Sequence, residues 1–213
     1  MARISTTAAP NIPLSSREYN PNQQEQISNV LRLYFNQVDN FTQLVGGPLG
    51  ASNLNNPFSM FMSAVDQANA GITSENIVQL DTIVLSNGIR VENNDEIWFS
   101  TAGQFLVNAN FQVVNQDNAV HEFELWAKQN TTNYPLSNTR FDVPARKSAT
   151  IWGHTTAAVN VIFTVTNPST DYLSFAWWSD SLLVYLEHYA AGTAPVRPEI
   201  PSVIITVNQI SSL

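Results

Sequence analysis

The sequence contains no cysteine and few charged side chains. The absence of cysteine from its 213 residues excludes a disulfide framework and a catalytic or metal-binding thiolate. Charged residues make up 12% of the chain, about half of their usual share in globular domains. Asn, Gln, Ser and Thr must therefore supply the polar surface. That composition favours β-structure with extensive protein–protein contact over a freely diffusing monomer.

Basic residues and long hydrophobic runs are also scarce. The chain has 9 Lys and Arg against 17 Asp and Glu, and its formal net charge is −8. Phosphate binding needs clustered positive charge, and these basic residues are scattered, so we expect no nucleic-acid binding. No apolar run reaches the roughly 18 residues of a membrane span, and residues 1–30 lack the pattern of a secretion signal. We therefore expect synthesis in a cytoplasm, no export and no membrane association.

The chain does contain enough apolar residues for a core. Hydrophobic residues make up 44% and aromatic residues 10% of it. The length suffices for one large all-β domain, or for one medium domain with an appendage. Residues 1–19 are small and polar and are interrupted by Pro10 and Pro13. They predict an extended N-terminal arm that becomes ordered when it docks on a neighbour.

The pattern of residues 20–47 predicts one α-helix. Asn20 can cap it, Pro21 occupies the first helical position, and Gly46-Gly47 is a stop signal. Apolar residues recur at alternating spacings of four and three, which is a heptad pattern. The members of this helix seam are Ile27, Leu31, Tyr34, Val38, Phe41 and Val45. The seam can pack on the helix's own domain or can join copies of the chain, and the pattern leaves both alternatives open.

Residues 48–76 are rich in Gly, Asn, Pro and Ser, and we interpret them as a linker. Within them Phe58, Phe61, Met62 and Val65 have a spacing that predicts a short helix.

Residues 77–213 have the pattern of a β-domain. Segments rich in β-branched and aromatic residues alternate with turn clusters such as "NNDE", "NQDN" and "NPST". Regular strand spacing without helical patterns between the strands excludes a parallel α/β fold and predicts an antiparallel sandwich or jelly roll. The predicted strands are 77–85, 89–92, 96–101, 104–114, 121–128, 139–144, 148–156, 159–166, 171–179, 182–190 and 202–210.

Aromatic residues are concentrated in the segment "DYLSFAWWSDSLLVYLEHY". Strict alternation places Tyr172 and Trp178 on one face of the strand and Phe175 and Trp177 on the other. A sheet that is apolar on both faces must be covered on both faces. A neighbouring subunit is the cover that we expect, and a long loop of the same chain is the alternative. The candidate subunit-interface residues are Tyr172, Phe175, Trp177, Trp178 and Tyr185.

Catalytic and metal-binding patterns are weak. His121, His154 and His188 with Glu187 could form a cupin-like metal site, but no His-x-His pair places two ligands on one strand face. The chain has neither a Gly-x-Ser-x-Gly elbow nor a carboxylate pair assigned to one cleft. We therefore expect no enzymatic activity, no cofactor and no metal. A Trp such as Trp126 could stack on a sugar, but we expect each Trp to lie in the core or in a subunit interface instead.

The order of several segments carries a family resemblance. "STAGQFLVNANFQV", "FELWAKQNTTNYPLSNTRFDVP", "DYLSFAWWS" and "RPEIPSVIITVNQI" follow one another along residues 77–210. This order resembles the jelly-roll domains of virion proteins of tailed phages, in particular marine phages and cyanophages. Those domains are similar to the trimeric C1q/tumour-necrosis-factor-like fold. The helical segment "YNPNQQEQISNVLRLYFNQVDNFTQLV" also looks like one that precedes such phage domains.

The resemblance implies a homotrimer in which the jelly rolls pack around a three-fold axis. It implies a structural role at the surface of the phage particle, with the major capsid protein or another virion protein as the partner. We expect a capsid decoration (cement) protein that bridges capsid subunits. A head-fibre, collar or tail-fibre protein with a receptor- or glycan-binding jelly roll is the second interpretation, and a cupin-type metalloenzyme is the third.

Overall fold

A computed structural model describes residues 10–12, 20–46 and 56–212 of the chain, including side chains except for those of residues 44–46. The chain divides into two compact units, Met1–Asn55 and Asn56–Leu213. Most of the predicted arm, residues 1–19, lies outside the described residues. Pro10, Asn11 and Ile12, which are described, have no regular secondary structure.

The first unit contains the predicted helix, α1 (Pro21–Gly46). Asn20 caps it as expected, because its Oδ1 accepts hydrogen bonds from the amides of Asn22 at 3.0 Å and Gln23 at 3.4 Å. The seam residues Ile27, Leu31, Tyr34 and Val38 are half-buried, whereas the seam residue Phe41 is 37% exposed. Leu33 and Phe35, outside the seam, are also exposed. The side chain of Val45 lies outside the described residues.

The second unit is built from β-strands. In the described residues they are β1 (Phe58–Ser63), β2 (Asn76–Ile77), β3 (Thr82–Asn87), β4 (Ile89–Glu92), β5 (Glu96–Phe99), β6 (Gly103–Asn115), β7 (His121–Gln129), β8 (Thr132–Asn133), β9 (Thr139–Val143), β10 (Gly153–Val165), β11 (Tyr172–Ser179), β12 (Val184–Leu186), β13 (Gly192–Thr193), β14 (Val196–Arg197) and β15 (Val203–Ser211).

Two antiparallel sheets form a sandwich. The first sheet has the order β10-β6-β15-β1-β3, with β12 also paired to β6. The second sheet has the order β4-β5-β11-β7-β8, with β2 paired to β11 and β9 paired to β7. Strands β13 and β14 form a separate small hairpin.

The strand pairing confirms the predicted jelly roll. Its principal pairs are β1 with β15, β5 with β11, β6 with β10 and β7 with β9. The earliest strand thus pairs with the latest, and successive pairs alternate between the first and the second sheet. A long antiparallel hairpin that wraps over itself produces this order, which is the double-sheet jelly-roll arrangement. β11 also pairs with β7, and β6 with β15, so each sheet is continuous.

The core lies between the sheets and is rich in phenylalanine. Alternate residues of β6 and β10 point inward, as period-two alternation requires. Phe99 lies 4.4 Å from Phe105 and 5.5 Å from Phe163, measured between ring centroids. Phe123 stacks on Trp177 at 5.5 Å. These fully buried rings hold the sheets together mainly through removal of apolar surface from water.

The prediction of a linker with a short helix at residues 48–76 is wrong where the structure describes this segment. Phe58–Ser63 forms β1, which pairs with β3 and β15, and Phe61 is fully buried. The jelly roll therefore begins at the Asn56 boundary and not at residue 77. The segment "FSMFMS" fits a period of two as well as a helical spacing, and pairing with the distant β15 decides between them.

Four predicted strands have different bounds in the structure. The strands predicted at 148–156 and 159–166 form one strand, β10, after a turn that is closed by an isolated bridge between Ser148 and Ile151. Only Val184–Leu186 of the strand predicted at 182–190 belongs to a sheet. The strand predicted at 77–85 is divided into β2 and β3, which belong to different sheets. Between them the Gln67 side chain accepts a hydrogen bond from the Gln79 amide and donates one to the Gln79 carbonyl, both at 2.9 Å, in place of ladder hydrogen bonds.

The turn between β10 and β11 is organised by one buried carboxylate. Asp171 Oδ2 accepts hydrogen bonds from the amides of Thr166 at 2.9 Å and Asn167 at 2.8 Å, and from the Thr166 hydroxyl at 3.0 Å. Burial alone raises the pKa of the Asp171 carboxyl, but the hydrogen bonds from Asn167, Thr166 and Thr170 outweigh it, and the pKa lies below its usual value.

Replacing Asp171 with asparagine is expected to destabilise the domain by about 1–3 kcal/mol at neutral pH, because the turn loses a charged acceptor. Since the folded-state pKa is depressed, the stabilisation is complete above the unfolded value of about 3.9 and is lost as the pH falls through the folded pKa. Urea unfolding of both proteins should show a difference in the free energy of unfolding that closes in acid. Asp142→Asn, an exposed change on β9, is the control. A difference that is constant with pH contradicts this role of the carboxylate.

Candidate assembly surface

The first sheet carries no formal charge of its own. All residues of its six strands are described, and none of them is Asp, Glu, Lys or Arg. Their outward side chains are instead amides, hydroxyls, methionines and aliphatic groups, together with Phe58, Tyr185 and His154, which lies 3.3 Å from Glu187 just after β12. We call the outward face of these strands the uncharged face. A sheet face that meets only water usually carries charged side chains, so this composition is typical of a face that contacts protein.

Apolar side chains extend across the uncharged face. One row of register partners runs from edge to edge through Asn87, Phe58, Asn208, Leu106 and Ile162. Phe58 is 40% exposed and Ile162 is 54% exposed. The apolar members of the row are Phe58, Leu106 and Ile162, with Asn208 between Phe58 and Leu106, and we call these three residues the apolar strip.

The edge strand β3 enlarges this apolar surface. Ile83, Val84 and Leu85 follow one another, and their exposed fractions are 58%, 46% and 43%. Leu85 is the register partner of Met60 on β1 and shares its outward face. Neither Lys nor Pro protects the strand, although exposed edges are commonly protected in that way. This edge therefore favours contact with another chain.

The outward face of the second sheet is charged. Arg140 lies 2.7 Å from Glu124 and 3.3 Å from Glu122, and Arg90 lies 2.6 Å from Glu92. Hydrogen bonds from Asn138 and Arg140 lower the pKa of Glu124, and the hydrogen bond to Glu124 raises the pKa of Arg140. The outward charges are Glu92, Glu96, Glu122, Glu124 and Asp142 against Arg90, Lys128 and Arg140. The two outer faces are thus chemically distinct.

The predicted subunit-interface residues do not lie together on one surface. Phe175 and Trp177 are at most 1% exposed and belong to the domain's own core, so their assignment to an interface is wrong. Tyr172 is half-buried and packs on Trp98, with ring centroids 5.0 Å apart. Trp178 donates its indole N–H to the Ile72 carbonyl at 2.6 Å. Tyr185, on β12, accepts a hydrogen bond from Gln116 at 2.8 Å.

The chain itself covers part of the outward face of β11. The buried Lys128 lies beside its register partner Ser174 and pairs with Glu75. Trp178, on the same outward face, donates its indole N–H to the carbonyl of Ile72, three residues before Glu75. A segment of the same chain thus covers this part of the face. Such a segment was the alternative to the neighbouring subunit that we expected as the cover.

The three histidines contact different carboxylates. His121 bridges two of them, with Nε2 2.9 Å from Asp117 and Nδ1 3.1 Å from Asp180. His154 lies 3.3 Å from Glu187, and His188 lies 3.3 Å from Glu199. The hydrogen bond from His121, together with one from the Asn118 amide, lowers the pKa of Asp117.

The cupin-like grouping is therefore not assembled. Of its predicted members, His154 and Glu187 meet, in a cleft of about 460 Å³ that Tyr189 and Arg197 also line. The pKa of the Glu187 carboxyl lies above its usual value. Burial is the main cause and the charge of Asp66 adds to it, and together they outweigh the opposite effect of His154. Within the described residues, no three His, Asp or Glu side chains are placed to hold a metal ion.

The comparisons with known proteins add no relatives to this description. No family model matches the chain, and none of the curated proteins is significantly similar to it in sequence. In the described parts of the chain, no helix combines the length and the apolar character that a transmembrane segment needs. The function must therefore be argued from the surfaces of the fold.

Proposed function

We propose that this chain is a structural protein of a tailed-phage virion, a homotrimeric capsid decoration (cement) protein that bridges capsid subunits. The observation that carries the proposal is the uncharged face of the first sheet. A surface of this composition loses little when it is buried, because no charged group has to be desolvated.

The charge of the chain indicates that the occupant of the uncharged face is another copy of itself. Identical chains with a formal net charge of −8 repel one another. The face without Asp or Glu is the surface on which copies can approach with the least repulsion. The apolar strip through Phe58, Leu106 and Ile162 then supplies the buried core of the interface.

The helix supplies a second contact in this proposal. Ile27, Leu31, Tyr34 and Val38 form a half-buried stripe at heptad spacing, and such stripes join parallel helices. The chain thus has two elements suited to self-association, one in each compact unit.

A decoration role fits a jelly roll that is preceded by a helix and by a predicted N-terminal arm. Contacts spread over several capsid subunits would hold them together against the outward pressure of packaged DNA. The acidic chain has no need to contact that DNA, since nucleic acid is cargo and not a ligand here. The resemblance of residues 77–210 to tailed-phage jelly rolls supports the choice of a virion.

The copy number in purified particles tests this proposal. We expect light scattering of the isolated protein to give the mass of three chains. We expect gel densitometry of virions to give hundreds of copies, in a fixed ratio to the major capsid protein. A monomer in solution contradicts the trimer. Tens of copies or fewer contradict decoration and favour a head-fibre, collar or tail-fibre component.

A further inference from the structure

An open cleft of about 470 Å³ lies on the outward side of the second sheet, where β7 turns into β8 and the loop that follows it. It is separate from the uncharged face and from the His154–Glu187 cleft. The residues that line it include Glu124, Trp126, Asn133, Tyr134, Leu136 and Asn138. Aromatic, apolar, amide and carboxylate groups therefore face one concave surface.

The aromatic side chains of the cleft are held in place. The indole N–H of Trp126 donates to Asn133 Oδ1 at 3.0 Å, and the register partner of Trp126 is the small Ala176. The Tyr134 ring packs on the buried Phe163, with centroids 5.6 Å apart, and its hydroxyl donates to the Ile162 carbonyl. A ligand that stacks on these rings therefore meets a surface that is already ordered.

The polar groups of the cleft are also fixed before a ligand arrives. Glu124 accepts hydrogen bonds from Asn138 at 2.9 Å and from Arg140 at 2.7 and 3.0 Å. These hydrogen bonds lower the pKa of the Glu124 carboxyl, and the one from Asn138 has the largest effect. Glu124 thus remains an ionised acceptor. Asn133 and Asn138 add amide groups to the lining of the cleft.

The rim of the cleft carries an unusual leucine. Leu136 is fully exposed and adopts a positive φ of 60°, a conformation that L-residues other than Gly, Asn and Asp rarely take. The next residue anchors the loop, since the Ser137 hydroxyl accepts from the Ala127 amide at 3.0 Å and donates to the Tyr134 carbonyl at 2.8 Å. The loop thus holds an apolar side chain in water beside the aromatic cleft, at a cost that binding can recover.

We infer that this cleft binds an uncharged saccharide. The apolar face of a pyranose ring can stack on Trp126, while its hydroxyl groups donate to Glu124 and bond to the amides of Asn133 and Asn138. Acidic side chains outnumber basic ones on this outer face, which disfavours sulfated or sialylated sugars. Glu124 is the one carboxylate among the residues that line the cleft, whereas glycoside hydrolysis usually requires a pair, so we assign the cleft to binding.

This inference does not rest on the proposed trimer. The cleft belongs to the second sheet, and the groups assigned to the sugar, Trp126, Glu124, Asn133 and Asn138, are not residues of the uncharged face. A monomeric protein could carry the same site.

Saturation-transfer NMR with four free disaccharides tests the cleft. The probes are maltose, lactose, cellobiose and diacetylchitobiose, and sialyllactose serves as the charged comparison. We expect the full-length protein to bind at least one of the four with millimolar affinity, and to bind sialyllactose more weakly than lactose. No transfer to any of the four, or a preference for sialyllactose, overturns the inference.

Matched variants locate the binding. Trp126→Ala is expected to weaken it by at least about tenfold, and Asn138→Ala, a change in an exposed loop, by several-fold. Trp98→Ala is the control, because Trp98 lies on the same outer face but packs on Tyr172 and under Arg90, outside the cleft. Unchanged binding by both Trp126→Ala and Asn138→Ala, or equal loss in Trp98→Ala, shows that the sugar binds elsewhere and refutes the assignment.

Discussion

Replacing Trp177 with alanine is expected to lower the free energy of unfolding by about 3–5 kcal/mol, a large part of the total stability of a domain. Trp177 is fully buried and stacks on Phe123, so truncation removes apolar burial and leaves a cavity between the sheets. Trp177→Phe should cost much less. It keeps the stacking ring and removes an indole N–H that has no hydrogen-bond partner among the described residues.

The neighbouring Trp178 provides the matched control. It lies on the opposite face of β11, half-buried, and its main polar contact is the hydrogen bond to Ile72. Trp178→Ala should cost about 1 kcal/mol. Urea unfolding at one fixed protein concentration measures all three variants, since association would make stability depend on concentration. Equal losses for Trp177→Ala and Trp178→Ala contradict the placement of Trp177 in the core.

Much of the jelly roll could be predicted from local patterns. Asn20 and Pro21 specified the helix start, and the "NNDE" cluster specified a hairpin in which Asn93 and Asn94 adopt the left-handed φ values of 54° and 65°. Such signals depend on residues that are close in sequence. β1 was missed because its ladder partner β15 lies at the other end of the domain, and no local pattern reveals that pairing.

The surfaces were harder to predict than the strands. Alternation divided β11 correctly into two faces, but it could not tell which apolar face was the core and which was covered by the segment around Ile72 and Glu75. The uncharged face was missed as well, although its signal is in the sequence. The six segments that form the first sheet contain no Asp, Glu, Lys or Arg. This absence indicates an uncharged surface only when it is known that the six segments belong to one sheet.

Replacing Leu106 and Ile162 with aspartate is expected to convert the proposed trimer into monomers. Both residues point outward from the first sheet and are register partners in the apolar strip. Their burial against another copy would place unpaired carboxylates in an apolar interface, at a cost of several kcal/mol per charge. Light scattering should give the mass of one chain, and circular dichroism should remain that of a folded β-protein.

Two further variants distinguish the causes of such a change. Val120→Asp is the matched control, because Val120 is an aliphatic residue in a loop outside both sheets and is 60% exposed, close to the 54% of Ile162. It should leave the mass unchanged. Leu31→Asp combined with Val38→Asp tests the helix seam. Loss of the trimer in this variant alone would mean that the helices hold the copies together and the uncharged face does not.

The Leu106→Asp, Ile162→Asp variant also tests whether the apolar strip lies in the interface between copies. If the Leu106→Asp, Ile162→Asp variant keeps the mass of three chains, the strip is exposed in the assembly. Copies must then meet elsewhere, and the uncharged face loses its assigned role.

If the variant is monomeric but still binds phage capsids with undiminished affinity, trimerisation is not needed for attachment. If both trimer and capsid binding are lost while the fold persists, the uncharged face is the surface on which assembly depends, as its lack of charge predicts.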